Sequence, residues 1–162
     1  SIFEPHTEWI SKGKAGVPVE LGIKVCIVED QAGFILKHQV MRPLNDVDIA
    51  VDIVNKTNAL YPAFSGCSVD KGFHSPDNQN QLAQALERCT MPKKGKRNKA
   101  ENESEYSAEF KLYKRKHSAV ASAINPLAVH GLDRCPDKGL DGFEKSVSLA
   151  IVARNLQKIG AE

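Results

Sequence analysis

Residues 67–76, Cys-Ser-Val-Asp-Lys-Gly-Phe-His-Ser-Pro, form the stretch on which the interpretation of the whole chain depends. A short run of apolar and small residues, Phe64–Val69, ends at Asp70, and the chain then turns at Gly72 into a polar helix expected to begin near Ser75. This order predicts a strand that delivers a carboxylate to a loop. Asp70 is then either a site residue at the carboxyl end of a strand or the cap of the turn, and the local pattern leaves both interpretations open.

The segments before this stretch predict a hairpin and a helix. Residues Val19–Val28 alternate apolar and polar positions, and Phe34–Met41 is the expected antiparallel partner across the turn Glu29–Gly33. Residues 1–17 are expected to form an irregular lead-in. Asp46–Tyr61 places apolar residues at three- and four-residue steps, which predicts an amphipathic helix.

The segments after it predict a crossover and two further helices. A helix over Ser75–Arg88 and a short strand over Cys89–Pro92 complete a strand, helix, strand order, which predicts a parallel pair with a right-handed crossover. A helix over Glu105–His130 should be interrupted at Pro126. The last helix, Asp141–Ile159, is apolar on most sides and is expected to be buried against the sheet.

The composition is that of one ordinary globular domain spanning residues 1–162. The chain is 41% hydrophobic and 26% charged, and it contains no apolar run long enough to cross a bilayer, so no membrane partner is expected. A formal charge of +2 does not by itself indicate a nucleic-acid partner. Four widely spaced cysteines without a Cys-x-x-Cys pair favour a reduced cytoplasmic protein. A composite metal site is conceivable but has no recognisable ligand spacing; its members would be Cys67, His74, His130 and Cys135.

A basic-to-acidic loop over residues 93–105 is the second candidate site. Such a run can neutralise DNA phosphates, although a solvated loop has the same composition. Aromatic residues are not interleaved with the charges, so stacking on bases is not indicated. The cations are Lys93, Lys94, Lys96, Arg97 and Lys99, followed by Glu101, Glu103 and Glu105.

Taken together, several ordered motifs resemble the carboxy-terminal catalytic part of bacterial insertion-sequence transposases of the DDE type. The likeness extends over essentially the whole chain. It implies an α/β, ribonuclease-H-like fold, a mixed sheet flanked by helices, that acts on transposon-end DNA. The motifs are Glu-Leu-Gly-Ile-Lys-Val at 20–25, Asp-Lys-Gly-Phe-His-Ser-Pro at 70–76, Pro-Lys-Lys-Gly at 92–95, His-Ser-Ala-Val-Ala-Ser-Ala-Ile-Asn at 117–125, His-Gly-Leu-Asp-Arg-Cys-Pro-Asp at 130–137 and Val-Ala-Arg-Asn-Leu at 152–156.

The resemblance also implies a metal-dependent chemistry. In this family two aspartates and a glutamate hold a pair of Mg²⁺ ions for DNA cleavage and strand transfer, because Mg²⁺ prefers hard oxygen ligands. Asp70 matches the second aspartate and is the expected catalytic residue and metal ligand. Lys71 joins the basic residues 93–99 as an expected DNA contact. We expect a bacterial cytoplasmic protein without a small-molecule substrate, and self-association is left open.

Two departures from the family pattern lower the expected activity. Ala121 stands where the family has its glutamate, and alanine offers no oxygen ligand. The family's first aspartate lies on an opening strand upstream of the part that resembles residues 1–5, so we expect a truncated copy. Glu4 or Glu20 could in principle approach Asp70, but neither stands in a matching motif, and Asp30 is expected in a hairpin turn. The sequence thus predicts a catalytically impaired transposase-related protein, with a non-catalytic DNA-binding or assembly module, or a decayed remnant, as alternatives.

Overall fold

The computed structural model describes residues 5–11, 19–115, 127, 129–130 and 135–161. The protein is mixed α/β, which confirms the predicted fold class. Residues 108–115 are helical as well. The named elements are β1 (Glu8–Ser11), β2 (Val19–Gly22), β3 (Lys24–Glu29), β4 (Ile35–Met41), α1 (Asp46–Leu60), β5 (Gly66–Ser68), a 3-10 turn (Lys71–Phe73), α2 (Pro76–Ala85), β6 (Arg88–Thr90), α3 (Lys99–Tyr106) and α4 (Gly139–Ile159).

The described strands pair two by two. β3 and β4 form the predicted antiparallel hairpin, and β5 and β6 form the predicted parallel pair with α2 as the crossover. The expected irregular lead-in was wrong for Glu8–Ser11, because β1 pairs antiparallel with β2. The run Val19–Val28 is not one strand, since β2 ends at Gly22 and pairs with β1 while β3 pairs with β4.

One hydrophobic cluster joins the hairpin, the parallel pair and two helices. Helix α1 begins where predicted because Asn45 and Asp48 form a capping box at its first turn. Its apolar side then packs with residues from β3, β4 and α2 and from the segments next to β6. The buried members are Cys26, Met41, Ile49, Ile53, Val54, Leu82, Leu86 and Met91, with Cys67, Val69 and Cys89 packed against them.

A second cluster covers the opposite face of the hairpin. Val25 and Ile27 of β3 point away from Cys26 and pack with Val147 and Ile151 of α4. A register shift between Val28 and Glu29 places Ile35 opposite Glu29, and Ile35 belongs to this second cluster as well. The hairpin is therefore covered by helices on both faces, which explains why Val25, Cys26, Ile27 and Val28 of β3 are all apolar.

Residues in the carboxyl half of α4 form hydrogen bonds with the turn of the β3–β4 hairpin. Asn155 pairs with the backbone of Ile35 in both directions: Oδ1 accepts from the Ile35 N–H and Nδ2 donates to the Ile35 carbonyl, each at 3.0 Å. The buried Arg154 guanidinium lies 3.6 Å from the buried Glu29 carboxylate and donates to the carbonyl of Gly33. Burial raises the pKa of Glu29, and the charge of Arg154 opposes that effect.

The expected burial of the last helix was right for one face only. Val147, Ala150, Ile151 and Arg154 are buried, whereas the opposite apolar residues Leu149, Val152, Leu156 and Ile159 are more than half exposed. No neighbouring element in the described residues covers that second face. No helix in the described ranges is long and apolar enough to span a bilayer.

The helix predicted over Glu105–His130 begins earlier and is interrupted earlier. Asn98 and Glu101 form a capping box that starts α3 at Lys99, and α3 ends before Ser107. The Ser107 Oγ accepts a hydrogen bond from the Phe110 N–H and starts the second helical segment, 108–115. The predicted interruption at Pro126 lies outside the described residues, as does Ala121.

Candidate nucleic-acid interface

Asp70 lies at the carboxyl end of the parallel pair. The Val69 N–H donates to the carbonyl of Thr90, so the ladder of β5 and β6 continues to the residue before Asp70. The Asp70 Oδ1 accepts from the N–H of Lys71 at 2.7 Å and caps the 3-10 turn. The structure confirms that Asp70 caps the turn. It places the exposed carboxylate at the edge where ligands of α/β folds bind, and the role of Asp70 as a site residue stays a prediction.

The turn that contains Asp70 contacts both α1 and α2. The Asn78 side chain at the start of α2 donates to the carbonyls of Val47 (2.8 Å) and Phe73 (2.9 Å). Gly72 lies so close to the Asp46 carboxylate at the start of α1 that a side chain there would collide with it. These contacts hold the Asp70–Lys71 backbone in one place, although both side chains are exposed.

The basic loop leaves the same edge of the parallel pair. β6 ends at Thr90, and the buried residues Met91 and Pro92 lead directly into Lys93. Because β5 and β6 run parallel, the segments after Ser68 and after Thr90 emerge from one edge. Lys93 then binds Glu101, which brings the start of the loop against α3.

Acidic residues of α3 neutralise two of the five cations in this loop. Lys93 Nζ binds Glu101 at 2.5 Å, and Arg97 Nε binds Glu105 at 2.8 Å. Glu105 also accepts from the backbone N–H of Lys93, so the loop folds back onto the helix that follows it. The hydrogen bond from Lys93, with a further one from the backbone of Asn98, lowers the pKa of Glu101.

The remaining three cations face solvent. Lys94, Lys96 and Lys99 are exposed and have no ion pair within the described part of the chain. Lys94 and Lys96 flank Gly95, whose φ of +95° is accessible to glycine at little cost and turns the chain at the loop tip. Lys71 is exposed at the same edge. The structure thus divides the five cations of the loop into two that pair with α3 and three that are exposed, and the role of all five as DNA contacts stays a prediction.

The described residues do not assemble a metal centre. No group of three or more His, Cys, Asp or Glu side chains in these ranges could hold a metal ion. Asp30 accepts from the Phe34 N–H in the hairpin turn, and Glu4 and the Glu20 side chain lie outside the description. Asp70 is therefore not part of a cluster of three such side chains in the part of the chain described, although the Asp46 carboxylate lies against Gly72, two residues after Asp70.

The conceivable site made of Cys67, His74, His130 and Cys135 does not form. The thiol of Cys67 contacts Cys89, and that of Cys135 donates to the carbonyl of Asp137. His130 pairs with Gln157 on α4. His74 is buried, and its Nε2 has no hydrogen-bond partner.

Sequence reasoning missed two features whose members are far apart in the chain. Arg154 and Asn155 stand in one of the family-like motifs, yet nothing in the sequence indicated that they bind a hairpin turn about 120 residues earlier. Cys67 and Cys89 are neighbours because β5 and β6 pair in parallel. The predicted crossover was the one signal that could have suggested the cysteine contact.

Comparison of the chain with protein-family models, with curated proteins and with solved structures found no match.

Proposed function

We propose that the protein is related to the DDE transposases and binds DNA through the carboxyl edge of its parallel strand pair. The observation that carries the proposal is the arrangement at that edge: exposed Lys71 beside Asp70 on one strand end, and exposed Lys94 and Lys96 on the loop from the other. Cations held at one edge can contact successive phosphates of a duplex. The order of the family-like motifs in the sequence supports the same assignment.

The finer fold assignment belongs to this proposal. The chain forms a hairpin, then helix α1, and then a parallel pair whose two strands are connected by helix α2. The hairpin, the parallel pair and both helices contribute residues to one hydrophobic cluster. That order is compatible with the mixed, helix-flanked sheet of a ribonuclease-H-like domain. In the described residues each strand pairs with one other strand, so the joining of these pairs into one continuous sheet is part of the proposal.

We further propose that this chain is catalytically impaired. The described residues do not offer the cluster of carboxylates that a pair of Mg²⁺ ions requires, and one oxygen of Asp70 already accepts a backbone hydrogen bond. Ala121, at the position of the family's glutamate, contributes no oxygen.

A non-catalytic DNA-binding or assembly module is the second candidate. It is favoured by the division of the basic loop into cations bound by α3 and cations left exposed. The bound pairs hold the loop in shape, and the exposed lysines need no metal to contact phosphates. Both candidates predict DNA binding without cleavage by this chain, and they differ in whether the chain is related to the DDE transposases.

Salt-dependent binding to a short random-sequence DNA duplex tests the interface. Lys94→Ala/Lys96→Ala should make the slope of log K against log salt shallower by about 2, since each phosphate contact contributes about 0.9. The matched control is Lys138→Ala/Lys145→Ala, which removes the same charge from exposed positions near the start of α4 and should keep the original slope. Equal slopes for both double variants would contradict the proposed interface.

A plasmid-nicking assay with Mg²⁺ or Mn²⁺ tests the catalytic part. We expect no nicking by the chain as it stands. Nicking that is abolished by Asp70→Ala would overturn the proposal of impaired catalysis. Loss of duplex binding in Asp70→Ala, with all lysines intact, would count against the non-catalytic module.

A further inference from the structure

Cys67 and Cys89 lie directly opposite each other on the parallel strands β5 and β6. Their sulfur atoms are 3.8 Å apart, and both residues are free thiols. Neighbouring strands lie about 4.8 Å apart, within the range of about 4.4–6.8 Å between the Cα atoms of disulfide-bonded residues. A bond between the two sulfurs therefore requires side-chain rotation and little movement of the strands.

The other two cysteines are placed differently. Cys26 is buried between the hairpin and α1, and burial, together with the charge of Asp46, raises the pKa of its thiol to about 12. Cys135 is exposed and contacts no other cysteine in the described residues. Cys67 and Cys89 are both partly exposed, at the margin of the first cluster, so a small oxidant can reach them more readily than Cys26.

The contact between the two thiols shifts their pKa values in opposite directions. Cys67 donates its S–H to the sulfur of Cys89, and this hydrogen bond lowers the pKa of Cys89. The same bond, with burial, raises the pKa of Cys67. The thiolate is the reactive form of cysteine, so Cys89 is the expected nucleophile and Cys67 the resolving thiol.

We propose that Cys67 and Cys89 are a redox-active dithiol that a hydroperoxide converts into an intrachain disulfide. The Cys89 thiolate attacks a peroxide oxygen, the O–O bond breaks, and Cys89 becomes a sulfenic acid as hydroxide leaves. Cys67 then attacks the Cys89 sulfur, forming the S–S bond and releasing the sulfenic oxygen as water. In total two thiols and one molecule of hydrogen peroxide give one disulfide and two molecules of water.

The bond would close a loop that contains one part of the candidate interface. The segment between the two cysteines contains Asp70, Lys71 and the whole of α2, and its ends are 22 positions apart. A cross-link over a loop of this length restricts the unfolded chain. We expect oxidation to raise the melting temperature by about 5–10 °C.

Peptide mapping by mass spectrometry of the full chain, after mild treatment with hydrogen peroxide, tests the proposal. The expected product is a linked pair of peptides containing Cys67 and Cys89, lighter than the sum of the two reduced peptides by two hydrogen atoms and separated again by dithiothreitol. Cys135→Ser is the matched control and should give the same product. Conversion of either cysteine only to sulfinic or sulfonic acid, or links only between molecules, would overturn the proposal.

The single variants separate the two roles. In Cys67→Ser, dimedone should trap a sulfenic acid at Cys89, whereas in Cys89→Ser it should label Cys67 much less at the same peroxide dose. Phenylarsine oxide, which bridges two neighbouring thiols, provides a probe that needs no variant: the untreated native chain should bind one equivalent at the peptides of Cys67 and Cys89. Absence of that adduct in the folded chain would contradict the proximity on which the proposal rests.

Discussion

The hairpin β3–β4 and the parallel pair β5–β6 hold their charged groups in opposite ways. At the hairpin turn, Glu29 and Arg154 are buried and lie against each other, and Asn155 binds a strand backbone. At the carboxyl edge of the parallel pair, Asp70 and Lys94 are exposed. Charges of the first kind hold elements together, whereas charges of the second kind are available to a ligand, so substitutions in the two regions should affect different properties.

The largest expected effect is at the hairpin. Arg154→Met should lower the free energy of unfolding by about 3–5 kcal/mol, because it leaves Glu29 as a buried charge without its partner. Urea unfolding of the full chain measures this loss. A loss below about 1 kcal/mol is what an exposed ion pair gives. Such a result would contradict the proposed difference between structural charges at the hairpin and exposed charges at the carboxyl edge.

A double variant and a change of pH sharpen this result. Glu29→Gln/Arg154→Met should lose less stability than Arg154→Met, since the unpaired charge is removed with its partner. The folded-state pKa of Glu29 is raised, so the folded form binds this proton more tightly than the unfolded chain. Its contribution to stability is present below the unfolded pKa and is lost as the pH rises through the folded pKa. The loss in Arg154→Met should accordingly be greater near neutral pH than in mild acid.

A smaller effect is expected for the amide that binds β4. Asn155→Ala removes both hydrogen bonds to Ile35 and should cost about 1–3 kcal/mol. Faster hydrogen exchange at the Ile35 amide would locate the change at the hairpin. Val152→Ala on the same helix is the control, because Val152 is exposed and its truncation should change stability by about 0.5 kcal/mol or less. Equal losses in both variants would show that the loss does not come from the Asn155 contact.

The smallest effect is expected at the carboxyl edge. Asp70→Ala should cost about 0.5–1 kcal/mol, because it removes one exposed cap of a single turn. Asp70→Asn keeps an oxygen acceptor and should be close to the parent chain in thermal unfolding. A loss of several kcal/mol in Asp70→Ala would mean that this residue belongs with the structural charges of the hairpin.

Most of the elements could be predicted from the sequence, and the two main departures have different causes. The hairpin, α1 and the parallel crossover follow from alternation, three- and four-residue periodicity and turn residues, which are properties of short stretches. Strand β1 was missed because Glu8–Ser11 is a strand only through its pairing with β2. The start of α3 was missed although Asn98 and Glu101 stand three residues apart in a capping-box order.

Part of the candidate site could also be predicted from the sequence. The position of Asp70 after a strand and the basic run after Pro92 were both visible in the sequence. The pairing of Lys93 with Glu101 and of Arg97 with Glu105 was not predicted, since it depends on how the loop folds back onto α3. That pairing decides which cations remain for a phosphate.

The sequence by itself determined the α/β class, the order of the main elements and the placement of an acid and a basic loop after two strands, because each of these depends on residues close together in the chain. Only the tertiary structure decided which face of α4 is buried, that Asn155 binds Ile35, and that Cys67 lies opposite Cys89. These contacts join residues far apart in sequence. They form only when helices and strands pack, and no local pattern specifies the partner.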